Sequence, residues 1–276
     1  MNKDKVSFAI KVTNWCNLKC AHCCENSGSR VAPNIMPVDK VERYVNEFNA
    51  MPVPRWQHLV FTGGEAMAPY FMRKNTYIPQ CLDIAGRAKM FPFVKTNGIW
   101  GANETMRHTI FQDCARAAEK NGRMVSLDIS IDEFHKNVPE VASIILDIVG
   151  SKYLADCVRV SISGLNTEKS RDQLNYLIAF LKARGVEFFP AQDCIIMAKG
   201  VIGTKVICDF NTNIASMGRA ASNKLGDAKP DGHPDVMGHC LQIDNDDIAT
   251  LNYFHKTPVN GRTVYDVTRE LLLRTR

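Results

Sequence analysis

The 276-residue sequence predicts an α/β fold, a partial (β/α)6 barrel over residues 1–205 followed by a short α+β extension over 206–276. Three observations carry that expectation. Short apolar runs alternate with segments whose apolar residues recur at helical spacing, the order that builds a parallel sheet with helices packed on it. Two of the runs alternate strictly between apolar and polar residues, so each has one face for the helices and one polar face. Beyond about residue 205 the alternation gives way to a glycine-rich, polar stretch, a hairpin pattern and a final helical pattern.

The elements follow in order. VSFAIKV (6–12) is a short apolar strand, and in VDKVERYVNEF the residues Val41, Tyr44, Val45 and Phe48 share one helix face. HLVFTGGE (58–65) is a strand running into a glycine turn, and IPQCLDIAGRA is helical. PFVKTNGIWG is a third strand, and the helix ETMRHTIFQDCARAAEKNG stops at Gly122 as at a C-terminal cap. The fourth strand, VSLDISID, places Val125, Leu127, Ile129 and Ile131 on one face and Ser126, Asp128, Ser130 and Asp132 on the other. The fifth, CVRVSISG, opposes Val158, Val160 and Ile162 to Arg159, Ser161 and Ser163. In a parallel sheet covered by helices the polar faces line the lumen, which suits a polar ligand. The helix EKSRDQLNYLIAFLKARG and the strand VEFFPAQ (186–192) make the sixth unit. In the extension, GHCLQIDNDDIATLNYF reads as a hairpin around residues 244–247 and TVYDVTRELLLRT as a terminal helix packed with the barrel.

Hydrophobic residues make up 45% and charged residues 23%, and no apolar run approaches bilayer length, so the chain reads as soluble and globular, with no membrane partner. The opening MNKDKVSFAIKV lacks the apolar core of a secretory signal, and the expected location is cytoplasmic. A strand within the first ten residues leaves no room for an N-terminal peptide-recognition domain, so a peptide substrate is expected to be held by the extension or by a separate protein. The net charge of +5 is scattered and forms no basic stripe, which argues against a nucleic-acid partner.

Four of the ten cysteines fall within TNWCNLKCAHCCENSG, residues 13–28. In a reducing compartment clustered cysteines bind metal more often than they form disulfides. A zinc site needs a fourth ligand, which Cys24 or His22 can nominally supply, but the paired short spacing of zinc modules has no second half nearby. Cys24 reads as a packed or spare thiol.

The spacing Cys16-x3-Cys20-x2-Cys23, directly after the first strand, resembles the CxxxCxxC signature of the radical SAM superfamily, whose fold is a partial TIM-like barrel. The resemblance spans roughly residues 6–220. It implies that Cys16, Cys20 and Cys23 hold three irons of a [4Fe–4S] cluster and leave the fourth open to S-adenosylmethionine. Thr62, Gly63, Gly64 and Glu65 resemble the family's GGE motif, which meets the SAM amino group, and KTNG with Asn97 resembles its third-strand TNG element. By the same resemblance Ser130 and Asp132 are placed toward the ribose or methionine carboxylate, and Ser161 and Ser163 are further candidates. VSISGLN departs from the family's GxIxGxxE pattern, with Val160 for the first Gly and Thr167 for the Glu, which puts the adenine contacts in doubt. SMGRA resembles a segment whose arginine, here Arg219, approaches SAM, although an exposed Arg after a glycine turn reads equally well.

Asp132 and His135, in IDEFHK beyond the fourth strand, lie where a (β/α) barrel keeps its active site; His135 either donates a proton or holds substrate, or it caps and packs. The extension resembles a shortened SPASM or twitch domain, but Cys194, Cys208 and Cys240 are too widely spaced for its auxiliary cluster and read as buried thiols. The function implied is reductive cleavage of SAM to a 5′-deoxyadenosyl radical that abstracts hydrogen from a peptide or small natural-product precursor, with a flavodoxin- or ferredoxin-type electron donor. A nucleotide- or RNA-modifying enzyme of the same superfamily, and a non-catalytic iron–sulfur regulatory protein, are the alternatives.

Overall fold

The computed structural model describes residues 6–23, 25–30, 32–165, 167–190, 196–199, 205–212, 239–251 and 255–274. In chain order these form β1 (Val6–Lys11), α1 (Val38–Asn49), β2 (Arg55–Thr62), α2 (Ala68–Phe71), α3 (Tyr77–Arg87), β3 (Phe91–Thr96) and a 3-10 turn (Ile99–Ala102). There follow α4 (Glu104–Asn121), β4 (Val125–Ser130), α5 (Val138–Val149), α6 (Lys152–Cys157), β5 (Val158–Leu165) and α7 (Glu168–Lys182). The rest is β6 (Glu187–Pro190), β7 (Ile196–Lys199), β8 (Lys205–Thr212), β9 (His239–Ile243), β10 (Ile248–Leu251), β11 (His255–Pro258) and α8 (Val264–Arg274). The fold is mixed α/β with parallel strands, the class the sequence predicts and the one to which partial (β/α) barrels belong. None of the described helices is long and apolar enough to cross a membrane.

Two compact units share the chain. One comprises Met1–Lys19, Glu25–Phe93 and Lys229–Arg276, the other Cys20–Cys24 and Val94–Ala228, and the boundary divides β3.

In the first unit β1 is central, parallel to β2 on one side and to β9 on the other, and β9–β10–β11 continue as an antiparallel meander. Helix α1 forms because its apolar residues keep i, i+3, i+4, i+7 spacing, and Val41, Tyr44, Val45 and Phe48 are all buried. Phe48 stacks on Phe8 of β1 with ring centroids 4.5 Å apart. The β9–β10 turn docks on α1 through Lys40 and Tyr44. There Lys40 Nζ lies 2.8 Å from Asp247 Oδ1, Tyr44 Oη donates to the same oxygen, and Lys40 also donates to the Asn245 carbonyl at 2.8 Å.

In the second unit β4 pairs with β5 in parallel from Val125–Val158 to Ser130–Ser163. The alternation read from the sequence holds: Val125, Leu127, Ile129, Val158, Val160 and Ile162 are buried under the helices. Helices begin and end on local chemistry. The Asn103 side chain accepts the Met106 N–H to cap α4, which ends at Gly122 with φ +61°. Thr167 caps α7 by accepting the Ser170 N–H at 3.1 Å. The sixth strand is a correction to the sequence reading. The parallel place beside β5 belongs to β8, while residues 187–190 pair antiparallel with β7, which is itself antiparallel to β8. Pro190 has no N–H to give a ladder and is tolerated on an outer strand, not a central one.

Asp247 supplies a test. Burial alone raises its pKa, but hydrogen bonds from Lys40 and Tyr44 outweigh that and hold it below the usual carboxylate value. A depressed folded-state pKa stabilises the fold above the unfolded value of about 3.9, and that stabilisation is lost as pH falls through the folded value. Tyr44→Phe is expected to cost roughly 1 kcal/mol at pH 7, a modest figure because the Asp247 side chain is 40% exposed, and less at pH 3. Urea unfolding at the two pH values reads the difference.

Candidate functional site

The cysteine loop begins where β1 ends, and its start is fixed by backbone. Gly64 N–H donates to the Thr13 carbonyl at 2.8 Å, and Glu65 N–H to the Trp15 carbonyl at 2.9 Å. This close approach is what the two glycines allow. A Cβ on Gly63, at φ +148°, would fall 2.5 Å from the Thr13 oxygen, and one on Gly64 would fall 2.2 Å from the Trp15 oxygen. The Glu65 side chain is 1% exposed and accepts the Met67 N–H at 2.9 Å. At the far side of the loop Glu25 is gripped by Lys11 at the end of β1, 2.5 Å away, and by Gln242 of β9 at 3.2 Å.

Cys16, Cys20 and Cys23 form no disulfide; the first is buried and the other two half-buried. The Cys16 sulfur accepts the Leu18 N–H at 3.4 Å. Burial pushes Cys81 and Cys114 up to about 12, which suits packed thiols and not ligands. Cys24, Cys194 and Arg219 lie outside the described residues, as do the side chains of Cys208 and Cys240. The donor chemistry of the cysteine loop fits the implied cluster: three unbridged soft thiols on one short loop, with a buried carboxylate beside a glycine turn stitched to its start.

In the second unit the polar residues past β3 and β4 are drawn together by Asn137. This residue is fully buried, and its side-chain N–H2 donates to the Asn97 carbonyl and, at 2.8 Å, to the Ser130 carbonyl. The Asn97 side chain turns back to accept the Ile99 N–H at 3.0 Å. Ser161 donates to Asp128 at 3.2 Å, and Lys95 approaches that carboxylate at 3.3 Å. Ser130 and Ser163 stay half-buried on the same polar face.

Asp132 organises the loop beyond β4. One carboxylate oxygen accepts the Phe134 N–H at 2.8 Å and the His135 N–H at 3.1 Å. The other meets the His135 ring Nδ1 at 2.8 Å and His22 Nε2 at 3.7 Å. Among the described residues His22, Asp132 and His135 form the one group of three ligand types whose donor atoms all lie within 4.8 Å. Burial lowers the His135 pKa, but hydrogen bonds to Asp132 and Cys20 overturn this and push it up to about 10. Burial likewise raises Asp132, and the bond from His135 with the charges of both rings pulls it below the usual carboxylate value.

Asn137 is absent from the sequence reading, which names Asp128 only on the polar face of the fourth strand. Asn137 looks like an ordinary helix N-cap ahead of a proline, yet its side chain makes no capping bond to α5. His22 was visible within the cysteine motif only as an optional zinc ligand.

The superfamily model for radical SAM proteins matches residues 10–162, more than half of the chain. The chain belongs to the radical SAM superfamily, whose members use a [4Fe–4S] cluster and S-adenosylmethionine. No match was found among curated proteins. Similar solved structures include Streptococcus suis SuiB bound to S-adenosylmethionine, 13% identical over 96% of this chain and 66% of that one, with a TM-score of 0.48. Others are anSMEcpe with bound AdoMet, at 18% identity, 66% and 48% coverage and TM-score 0.42, and HydG, a maturase of the [FeFe]-hydrogenase, at 15%, 66%, 41% and 0.42. This chain spans about two thirds of SuiB and less than half of the other two.

Gly64→Ala is expected to destabilise the protein by roughly 1–3 kcal/mol, since the added methyl meets rigid backbone. A lowered urea midpoint at unchanged m-value is the readout.

Proposed function

We propose that this chain is a radical SAM enzyme acting on a peptide or small natural-product precursor. The observation that carries the reading is the joining of the Gly63-Gly64-Glu65 turn to the first residues of a loop with three unbridged cysteines at CxxxCxxC spacing. When bound, the cluster would supply the electron that cleaves S-adenosylmethionine to a hydrogen-abstracting radical.

The chain's own residues take the following roles in this reading. Cys16, Cys20 and Cys23 ligate the cluster. The buried Glu65 carboxylate, with the backbone of Gly63 and Gly64, receives the amino group of SAM. Asn97, Ser130, Ser161, Ser163 and Arg219 contact the rest of that molecule. In this reading Asp132 and His135 act at the reacting centre, the ring holding substrate or passing a proton. The barrel over 1–205 houses this chemistry, and the extension over 206–276 flanks it. The superfamily requires a reductant, and a flavodoxin- or ferredoxin-type protein fits the mildly basic chain.

Anaerobic reconstitution with iron and sulfide, then dithionite and SAM, tests the reading. Wild type is expected to yield 5′-deoxyadenosine and Cys20→Ala none above background. A wild type that carries a full cluster and still leaves SAM intact overturns it.

A further inference from the structure

Helix α5 starts on a residue whose side chain does not serve the helix. Asn137 holds the N-cap position, where an asparagine oxygen ordinarily accepts an N–H of the first turn, but no such bond is made. Pro139, at the second helical position, lacks one of the two N–H groups such a cap engages. The amide works elsewhere. Its N–H2 group donates to the Asn97 carbonyl just past β3 and, at 2.8 Å, to the Ser130 carbonyl at the end of β4. Both partners are pure acceptors, so only one orientation of the amide satisfies them. That orientation leaves the Asn137 Oδ1 buried with no partner among the described residues, a state that opposes folding. Local rules broken in this way mark positions kept for function. The turn after β3 packs directly on α5 and β4. Gly98 has φ +70°, and a Cβ there would lie 2.8 Å from Ile129 Cγ2 and 3.3 Å from Val141 Cγ2. One on Gly101 would lie 2.3 Å from the Glu140 carbonyl oxygen. The end of β3, the end of β4 and the start of α5 therefore meet at Asn137, all within the second unit.

We propose that Asn137 is a positioning residue for SAM: by bridging the two carbonyls it fixes the spacing of the ends of β3 and β4, and with it the placement of Asn97 and Ser130 toward the bound molecule. The inference rests on the reading of Asn97 and Ser130 as SAM contacts. Two carbonyl oxygens drawn to one point repel each other, and the N–H2 group between them turns that repulsion into attraction. Few side chains can do this. A serine hydroxyl has one hydrogen to donate and an aspartate carboxylate has none, whereas the asparagine nitrogen has two. Because Asn137 is fully buried it does not itself meet the ligand, and it acts only through the residues it holds.

The test is SAM binding to the reconstituted full chain, read as equilibrium affinity for the oxidised protein and as KM and kcat for 5′-deoxyadenosine formation under dithionite. Each variant is checked for iron and sulfide content and for cooperative unfolding. Asn137→Leu, close in shape but without donors, is expected to weaken SAM binding about tenfold and to raise KM with kcat unchanged. Asn137→Ser, with one donor, is expected to lose less. Asn103→Ala removes an ordinary cap, that of α4, and is expected to lower the urea midpoint while leaving the KM for SAM as in wild type. In a Ser130→Ala background the loss caused by Asn137→Leu is expected to shrink, because one of the residues it positions is already gone. Wild-type SAM affinity in a folded, fully loaded Asn137→Leu overturns the inference, as do fully additive losses in the double variant. Should Asn137→Leu fail to fold, the same comparisons are made with Asn137→Ser, and wild-type affinity there overturns it. If Asn97→Ala and Ser130→Ala both bind SAM as wild type does, the underlying reading of those contacts fails first and the inference falls with it.

Discussion

Two backbone hydrogen bonds, Gly64 to Thr13 and Glu65 to Trp15, set the constraint on which the first unit's chemistry depends. They bring the end of β2 against the start of the cysteine loop so closely that no side chain fits between. Backbone bonds buried in this way cost little configurational freedom because both partners leave adjacent parallel strands. The loop's other end is governed by charge. Lys11 and Gln242 hold Glu25 from β1 and β9, so the loop is tied at entry by amides and at exit by a carboxylate.

In the second unit the same problem, holding a strand-end loop in one shape, is solved with side chains. Asn137 bridges the carbonyls of Asn97 and Ser130, and Asp132 gathers two backbone N–H groups and an imidazole. Nearby, Thr167 and Ser170 both donate to Glu133, so the position where the family pattern has an acid instead carries a hydroxyl that caps α7 and binds an acid from another loop. The departure from the family motif has a local structural purpose.

Much of this was legible in the sequence because it obeys simple periods. The two-residue alternation of β4 and β5 and the helical stripe of α1 reflect one buried face each, which is what periodicity records. Helix α5 was not read from the sequence, although Glu140, Ser143 and Asp147 recur at helical spacing opposite its buried residues Val138, Val141, Ala142, Ile145 and Val149. The sixth strand was misplaced because β6, β7 and β8 are of similar apolar character, and register and direction come from pairing that no single segment encodes. At the site, motif spacing revealed the cysteines and the glycine turn. Asn137 was hidden because its side chain acts on carbonyls 40 and 7 residues away in sequence, a relation only the fold creates.

The parallel pairing of β1 with β9 has a consequence for how the protein is made. During synthesis Val6–Lys11 leaves the ribosome more than two hundred residues ahead of His239–Ile243, its partner on that flank. For most of translation the nascent chain therefore carries an open strand edge immediately before the cysteine loop. The Glu25 clamp is also incomplete until Gln242 has emerged. The final shape of the loop therefore waits for the late strand to pair with the early one.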